Sequence, residues 1–196
     1  MASKIKSKLQ DVKRDLILEE AALLFESIGF EQLKVSELAK SVGVSVGTIY
    51  GMFESKEGLY MAYVRKQITA YVQEFEMRCE GVTSDAEQLK IAFKLKCEHF
   101  VSKRKAIEEC AKNNPLFFSN IRHSSPDILS EVYGKLSQMI LNINPKLNGI
   151  EAEKLAYAFT GLSDGYIAHW LMVEDDLMAE VEKMHLQMML MIKESA

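Results

Sequence analysis

Residues 43 to 59 read Gly-Val-Ser-Val-Gly-Thr-Ile-Tyr-Gly-Met-Phe-Glu-Ser-Lys-Glu-Gly-Leu, and this stretch decides the fold of the first quarter of the chain. Its first residues alternate apolar and small side chains, as a strand would, but its glycines weaken a strand and mark turns. Gly43 suits the left-handed position just past the end of a helix. Ser45 is then the N-cap of the next helix, with Val44 and Ile49 at the positions of a hydrophobic staple.

The helix that follows Ser45 is predicted to have one apolar face and one nearly bare face. Ile49, Met52 and Phe53 share the side that can dock on preceding helices. The other side carries small or hydrogen-bonding residues, namely Gly47, Thr48, Tyr50 and Gly51. Such a surface suits close approach to a DNA groove, where Thr48 and Tyr50 can reach phosphate oxygens or base edges. We call this segment the recognition helix.

The neighbouring segments complete a three-helix unit. An amphipathic helix over residues 11 to 28 and a short helical run from Ser36 to Val42 precede the recognition helix, which gives a helix-turn-helix. Ser55 restarts a helix with Lys56 in its first turn, where the helix dipole disfavours a cation. A DNA phosphate at that N-terminus would explain the lysine. The alternative is a hairpin of a generic helical bundle with a solvated lysine.

The same residues resemble a known signature. The run Gly43-Val44-Ser45-x-Gly47-Thr48-Ile49-Tyr50-x-x-Phe53-x-Ser55-Lys56-Glu57-x-Leu59 looks like the DNA-binding motif of the tetracycline-repressor (TetR) family. Upstream, Ala21-Ala22-x-x-Phe25-x-x-x-Gly29-Phe30 and Val35-Ser36-Glu37-Leu38-Ala39 are similar to that family's first two helices. Many individual residues match the family over residues 11 to 63. Beyond residue 63 only the number and layout of the helices are similar. The resemblance implies a homodimeric transcription regulator with an all-helical C-terminal domain that binds a small molecule.

Carried over residue by residue, the resemblance implies DNA contacts from five side chains and close approach at Gly47. The five are Ser36, Ser45, Thr48, Tyr50 and Lys56. Family members often carry a basic or polar residue where this chain has Val46, Gly51 and Met52. The recognition helix therefore has no Arg or Lys for bidentate guanine readout, which favours readout by hydroxyls, thymine methyl groups and DNA shape.

Charge is unevenly placed in this chain of 196 residues, whose formal net charge is −4. Residues 1 to 14 hold five basic residues against Asp11 alone, which predicts either a basic arm that lies on DNA or a loose, solubilising terminus. Lys13 and Arg14, already on the first helix, are the better candidates for phosphate contact. No signal peptide or membrane span is recognisable, so we expect a cytoplasmic protein.

The three cysteines, Cys79, Cys97 and Cys110, form no paired framework, and packed, reduced thiols are expected. Cys97, Glu98 and His99 are adjacent on a helix and point about 100° apart, so they cannot chelate a metal together. We expect no metal site and no cofactor. An enzyme would need a nucleophile with a base, paired carboxylates or a phosphate-binding loop, and none is recognisable.

The rest of the chain predicts helix after helix. We expect a long helix from residue 56 to about 79, one that follows a Ser84 cap, one from Lys103 to Asn113, a short one over Leu116 to Ile121, one from Asp127 to Ile143, and two last helices over about 150 to 173 and 177 to 194. The fold class is all-α with about nine helices. Residues 1–55 form the DNA-binding domain, and residues 56–196 form the ligand-binding and dimerisation domain.

The last two helices are the candidates for a homodimer. Ala158, Gly161, Gly165 and Ala168 give a narrow strip that another helix could approach closely. Leu177, Val181, Met184, Met188 and Met191 give a line of near-heptad spacing, which we call the methionine seam. The alternative is that this seam lies in the core of a single chain. Two-fold symmetry would place paired recognition helices about 34 Å apart on a pseudo-palindromic operator.

A ligand pocket in the C-terminal domain is expected to be mostly apolar with a few polar groups. The candidate lining residues are Phe75, Phe93, Phe100, Phe117, Arg122, His123, Tyr166, His169 and Trp170. Aromatic residues at helical spacing also suit a solid core. A solid core would favour the second hypothesis, a DNA-binding protein controlled by a protein partner rather than by a small effector.

Overall fold

The computed structural model describes residues 2–104, 107–108, 126–173 and 175–195, and the side chains of residues 2–7 and 126–128 are outside that description. Every regular element within these ranges is helical, which confirms the all-α prediction. The helices are α1 (Ala2–Gln32), α2 (Val35–Ser41), α3 (Val46–Phe53), α4 (Lys56–Arg78), α5 (Asp85–Ser102), α6 (Pro126–Ile143), α7 (Gly149–Val173), a 3-10 turn (Leu177–Glu180) and α8 (Val181–Glu194). The helices predicted over residues 103 to 113 and 116 to 121 lie largely outside the described residues.

Helix α1 is longer than the predicted range of 11 to 28. It begins at Ala2, so the basic segment ahead of residue 11 is the first part of the helix rather than a separate arm. Residues 2 to 10 contain no glycine or proline and include several good helix formers, which explains the extension. The predicted C-terminal end is correct, because Gly29 leaves the helical region with φ 79° and ψ 169°.

The turn between α2 and α3 is built as the sequence predicts. Gly43 has φ 68°, its N–H bonds to the carbonyl of Lys40, and the N–H of Val44 bonds to the carbonyl of Ala39 at 2.9 Å. This pair of bonds is a Schellman motif, which satisfies the last carbonyls of α2 and requires the left-handed residue. The turn thus sets the angle at which the recognition helix leaves α2.

The turn between α3 and α4 is tighter, and the sequence did not predict it. Glu54 has φ 68° and ψ −47°, and the N–H of Ser55 bonds to the carbonyl of Phe53 at 2.7 Å. This is a classic γ-turn, a rare and strained conformation for a residue with a side chain. A Cβ at Gly58 would overlap the same Phe53 carbonyl, so α4 can begin this close to α3 only with glycine there.

The residues fall into two compact units. Of the described residues, 2–67 and 107–108 belong to the first unit and the others to the second, so the first unit includes the first turns of α4. The reason is that the first turns of α4 pack on α1: Phe25 meets Tyr60 edge-on at 5.1 Å, and the Tyr63 hydroxyl donates to Glu26 at 3.1 Å.

The second unit is a helical bundle whose helices begin and end near the predicted residues. Ser84 caps α5 by accepting from the N–H of Glu87, as expected. Helix α7 begins with a reciprocal capping box, in which Asn148 and Glu151 each accept the other's backbone N–H. The core includes Phe93 stacked on Phe159 with ring centroids 3.9 Å apart.

Four of the five residues of the methionine seam face the interior of this unit, so they are not available for a dimer contact, and Met191 is 38% exposed. Leu177, Val181, Met184 and Met188 are buried within the single chain. Heptad spacing marks one apolar face of α8, and that face packs on the other helices of its own unit. The exposed large apolar residues of α8 are Leu186, Leu190 and Met191.

None of the described helices carries an apolar stretch long enough to cross a membrane.

Replacing Gly58 by Ala is expected to destabilise the first unit by about 1–3 kcal/mol, because the new methyl group must displace the Phe53 carbonyl. The matched control is Gly51→Ala in α3, where a Cβ meets no atom within 4 Å. That variant should gain roughly 0.5–1 kcal/mol from helix propensity. Denaturant unfolding measures both, and equal effects of the two substitutions would contradict the packing described here.

Candidate DNA-binding surface

The N-terminal end of α3 carries two hydroxyl groups in contact. Ser45 is extended and its Oγ accepts from the N–H of Thr48 at 3.1 Å, which confirms the predicted N-cap. The Ser45 and Thr48 hydroxyl oxygens lie 2.8 Å apart. Both predicted site residues therefore lie together at the positive end of the helix dipole, where a negatively charged group is stabilised.

The outward face of α3 is bare. Gly47 and Gly51 are exposed, and Tyr50 between them is 43% exposed. Each glycine costs a helix roughly 0.5–1 kcal/mol relative to alanine. A Cβ at Gly51 would meet no atom within 4 Å, and one at Gly47 only the Ser45 Oγ at 3.8 Å. Packing within the chain therefore does not require these glycines, whereas close approach of an external surface would.

The opposite face of α3 anchors the helix. Ile49 and Phe53 are buried and Met52 is half-buried, as the spacing predicted. Eight residues are too few to form a stable helix alone, so this docking must supply most of the stability of α3.

Arg14 holds the C-terminal end of α3 in place. Its Nη1 donates to the carbonyl of Met52 at 2.7 Å, and its guanidinium lies 4.4 Å from the centroid of the Phe53 ring. The bond satisfies one of the carbonyls that a helix end leaves unpaired. The structure thus gives Arg14, a predicted phosphate contact, a positioning role within the first unit. Lys13 beside it is half-buried.

Lys56 is also engaged within the first unit. Its Nζ donates to the carbonyl of Glu31 at 3.1 Å and lies 4.6 Å from the centroid of the Phe30 ring. An ammonium group has three donors, so this bond leaves capacity for a phosphate. The adjacent N-terminus of α4 already has capping groups of its own. Ser55 Oγ accepts from the N–H of Gly58 at 2.9 Å, and hydrogen bonds to its own backbone N–H and to Ser55 lower the pKa of Glu57.

Lys40 is a candidate that the sequence analysis missed. Ser36 and Lys40 are both exposed on α2, four residues apart, and so share one face of that helix. The buried residues of α2, Val35, Leu38 and Ala39, lie on its other side. The sequence could have indicated Lys40, because it follows Ser36, a predicted site residue, by four residues.

The predicted ligand residues lie in different environments of the second unit. Phe93 and Trp170 are buried, Phe75, Phe100 and Tyr166 are half-buried, and His169 is exposed. The Tyr166 hydroxyl donates to Gln187 at 3.0 Å, and the Trp170 ring packs against the Arg104 guanidinium at 4.7 Å. Phe117, Arg122 and His123 lie outside the described residues. Phe93 is thus a core residue, and His169 lies at the surface.

A charged group inside the second unit was also missed. The Lys96 Nζ lies 2.7 Å from both the Ser163 hydroxyl and an Asp164 carboxylate oxygen. Ser163 is fully buried, and the side chains of Lys96 and Asp164 are only 17% and 14% exposed. Lys96 follows Phe93 by three residues and so lies on the apolar face of α5. A lysine on an apolar helix face is the feature of the sequence that could have indicated this pair.

The two described cysteines lie in environments that favour the protonated thiol. Burial raises the pKa of the Cys79 thiol and raises the pKa of Cys97 to about 11, so both stay protonated near neutral pH. Cys110 lies outside the described residues. No cluster of His, Cys, Asp and Glu side chains suited to a metal ion occurs in the part of the chain that the structure describes.

Comparison with known proteins gives the family context of this surface. Residues 17–63 match the family described as bacterial regulatory proteins, tetR family. An HTH-type transcriptional regulator of Staphylococcus aureus is 28% identical over 107 residues, which are 54% of this chain and 57% of that protein. The matched region thus spans little more than half the length of this relative.

Solved structures extend the likeness of fold to most of the chain. The fatty acid degradation regulator FadR from Bacillus halodurans has a TM-score of 0.70 at 21% identity, with 90% of this chain and 94% of that chain covered. FadR from Bacillus subtilis, solved in complex with stearoyl-CoA, also has a TM-score of 0.70, at 18% identity, with 88% and 96% covered. At these identities the likeness establishes the fold alone.

Replacing Arg14 by Ala is expected to destabilise the first unit by about 1–2 kcal/mol, because α3 loses a charged hydrogen bond and a ring contact at its C-terminal end. Compared with the wild-type protein, the variant should show faster amide hydrogen exchange in residues 46–53 and unchanged exchange in α5. A matched control is Lys66→Ala, which removes only an exposed ion pair with Glu19 and should cost under about 1 kcal/mol. Unchanged exchange in α3 of the Arg14 variant would contradict the positioning role.

Proposed function

We propose that this chain, a member of the tetR family of bacterial regulatory proteins, is a homodimeric repressor that binds a specific DNA site through α3 and releases it when a small, largely apolar ligand binds. The observation that carries this proposal is the outward face of α3. Gly47, Tyr50 and Gly51 form a face that packing within the chain does not require, on a helix held at both ends and along its buried side. A face of this kind is suited to a major groove.

DNA recognition then divides into base contacts and phosphate contacts. Helix α3 carries no charged residue, so its base contacts come from Tyr50 and the hydroxyls of Ser45 and Thr48. Phosphate contacts come from the surrounding elements, with Lys40 on α2 and Lys56 on α4 as the cationic candidates. A site read with so few direct hydrogen bonds depends strongly on DNA shape and deformability.

Dimerisation through α7 and α8 is supported by their outward faces. On α7, Gly161 and Gly165 are exposed and a Cβ on either would meet no atom within 4 Å, so a second backbone could approach closely there. On α8, Leu186 and Leu190 are each 56% exposed. A two-fold interface built from these faces would pair two copies of α3 for a pseudo-palindromic site.

The proposed effector binds in the second unit. The half-buried aromatic residues Phe75, Phe100 and Tyr166 support an apolar ligand. FadR structures from Bacillus subtilis and Thermus thermophilus hold stearoyl-CoA and lauroyl-CoA, which makes long-chain acyl-CoA compounds the first probes to try. Release of DNA by an acyl-CoA but not by coenzyme A alone is the supporting result. Any such release requires a higher ligand affinity of the DNA-free state.

A protein partner is the alternative controller, and the half-buried Lys96–Asp164 pair supports it because the pair occupies part of the interior of the second unit. Absence of thermal stabilisation by any apolar probe would favour this alternative, because a ligand at about 100 times its dissociation constant adds about 2.7 kcal/mol. In either case we expect the protein to act in the bacterial cytoplasm, where its DNA is.

Replacing Tyr50 by Ala is expected to weaken binding to the selected DNA site at least tenfold, about 1.4 kcal/mol, without changing the stability of the fold. The site is first obtained by selection of bound fragments from genomic DNA, and affinity is then measured by fluorescence anisotropy. Tyr50→Phe is the matched variant that keeps the ring and removes the hydroxyl. Wild-type affinity of the alanine variant would contradict the proposed docking of α3.

Replacing Leu186 and Leu190 together by Glu is expected to convert the dimer into a monomer, because each copy would bury two unpaired charges between the paired α8 faces. Sedimentation equilibrium measures the change. Met77→Glu, at another exposed apolar position, is the control that should stay dimeric. A dimer that survives the double substitution would place the interface elsewhere.

A further inference from the structure

Helix α1 has two apolar faces, and only one of them is used in the first unit. The inward face buries Ile17, Ala21 and Phe25. The outward face carries four large apolar side chains with exposed fractions of 68%, 56%, 56% and 63%, which belong to Leu9, Val12, Leu16 and Leu23. Helices of soluble proteins normally turn polar residues outward, so this second face requires an occupant.

The four residues form one continuous line, which we call the α1 stripe. Their spacings of three, four and seven residues keep them on the side of α1 opposite its buried face. Leu9, Leu16 and Leu23 repeat every seven residues, as the contact line of a paired helix does. At 1.5 Å per residue the α1 stripe is about 21 Å long.

Charges beside the α1 stripe are segregated along the helix. Lys8 and Lys13 flank its N-terminal half, and Asp15, Glu19 and Glu20 flank its C-terminal half. A parallel pair of such helices would place like charges together, whereas an antiparallel pair would place the basic half of each against the acidic half of the other.

We propose that the α1 stripe binds the α1 stripe of a second copy of this chain in antiparallel orientation, with the two-fold axis at Leu16. Leu16 then meets Leu16, Leu9 of one copy meets Leu23 of the other, and Lys13 lies opposite Glu19. The contact is isologous, so the same residues serve both copies. It uses a different helix from the proposed α7 and α8 interface, so it joins copies independently of it.

The size of the α1 stripe indicates a weak contact. A patch roughly 21 Å long and 10 Å wide is far smaller than the ~800 Å² per partner of a stable interface. The contact between two α1 stripes would therefore form chiefly where two copies are already held close together. Its population then depends on the effective concentration of one copy near the other. If the proposed DNA binding holds, neighbouring operators would provide that proximity and binding to them would be cooperative.

A lipid surface fits the α1 stripe less well. Interfacial helices carry basic residues along their polar face and are attracted by anionic lipids. Here Asp15, Glu19 and Glu20 flank half of the stripe and would be repelled. The segregated charges therefore favour a second copy as the occupant.

Cysteine cross-linking of the full-length protein tests the contact and its orientation. Leu16→Cys is expected to form a covalent dimer on mild oxidation, several-fold above the wild-type background from the native cysteines. A mixture of Leu9→Cys with a mass-tagged Leu23→Cys should give the mixed dimer, and each of these two variants alone should not. Circular dichroism checks the fold, which exposed substitutions should leave intact.

The cross-link should persist in the Leu186→Glu, Leu190→Glu protein, which separates this contact from the proposed dimer and from DNA binding. Efficient cross-linking of Leu9→Cys with itself would show a parallel pairing and overturn the proposal. Background cross-linking in every variant would overturn it as well. Binding of the wild-type protein to phosphatidylglycerol vesicles, lost in the Leu16→Gln variant, would also overturn the proposal, because lipid would then cover the α1 stripe.

Discussion

The docking of the eight-residue helix α3 against the rest of the first unit is the interaction on which the site depends. A helix of this length with two glycines has no independent stability. Its orientation is therefore set from outside: by the Schellman turn at Gly43, by the buried Ile49 and Phe53, and by the Arg14 guanidinium at its C-terminal end. The surface left uncovered is the face that we assign to DNA.

The strained turn at Glu54 also helps to fix the position of α3. A γ-turn centred on Glu54 joins α3 to α4. Because Gly58 has no side chain, the first turn of α4 can lie directly against the Phe53 carbonyl at the end of α3. Only Glu54 and Ser55 separate the two helices, so no longer loop lies between them. A short connection of this kind suits the ligand-controlled reader of DNA that we propose, since a flexible linker would uncouple the two helices.

Local signals in the sequence predicted the local structure. The caps at Ser45 and Ser84 and the left-handed Gly43 depend only on neighbouring residues, and all three are confirmed. Contacts between distant residues were not predictable in this way. Arg14 was assigned to phosphate because its charge is visible in the sequence, whereas its bond to Met52 depends on the angle between α1 and α3.

The methionine seam shows a second limit. Apolar residues at heptad spacing indicate that a helix has a packed face, but they do not say whether the partner is the same chain or another copy. Met184 and Met188 pack inside their own unit. The outward apolar residues, Leu186 on α8 and Leu16 on α1, become visible only when the inward face is known.

We propose that the glycines of α3 serve an external surface and not the fold. The most direct measurement compares Gly47→Ala with the wild-type protein in both denaturant unfolding and affinity for the selected DNA site. We predict equal or slightly higher stability, by up to about 1 kcal/mol, together with an affinity at least tenfold lower. Unchanged affinity in a stable variant would contradict the claim that this face of α3 lies against DNA.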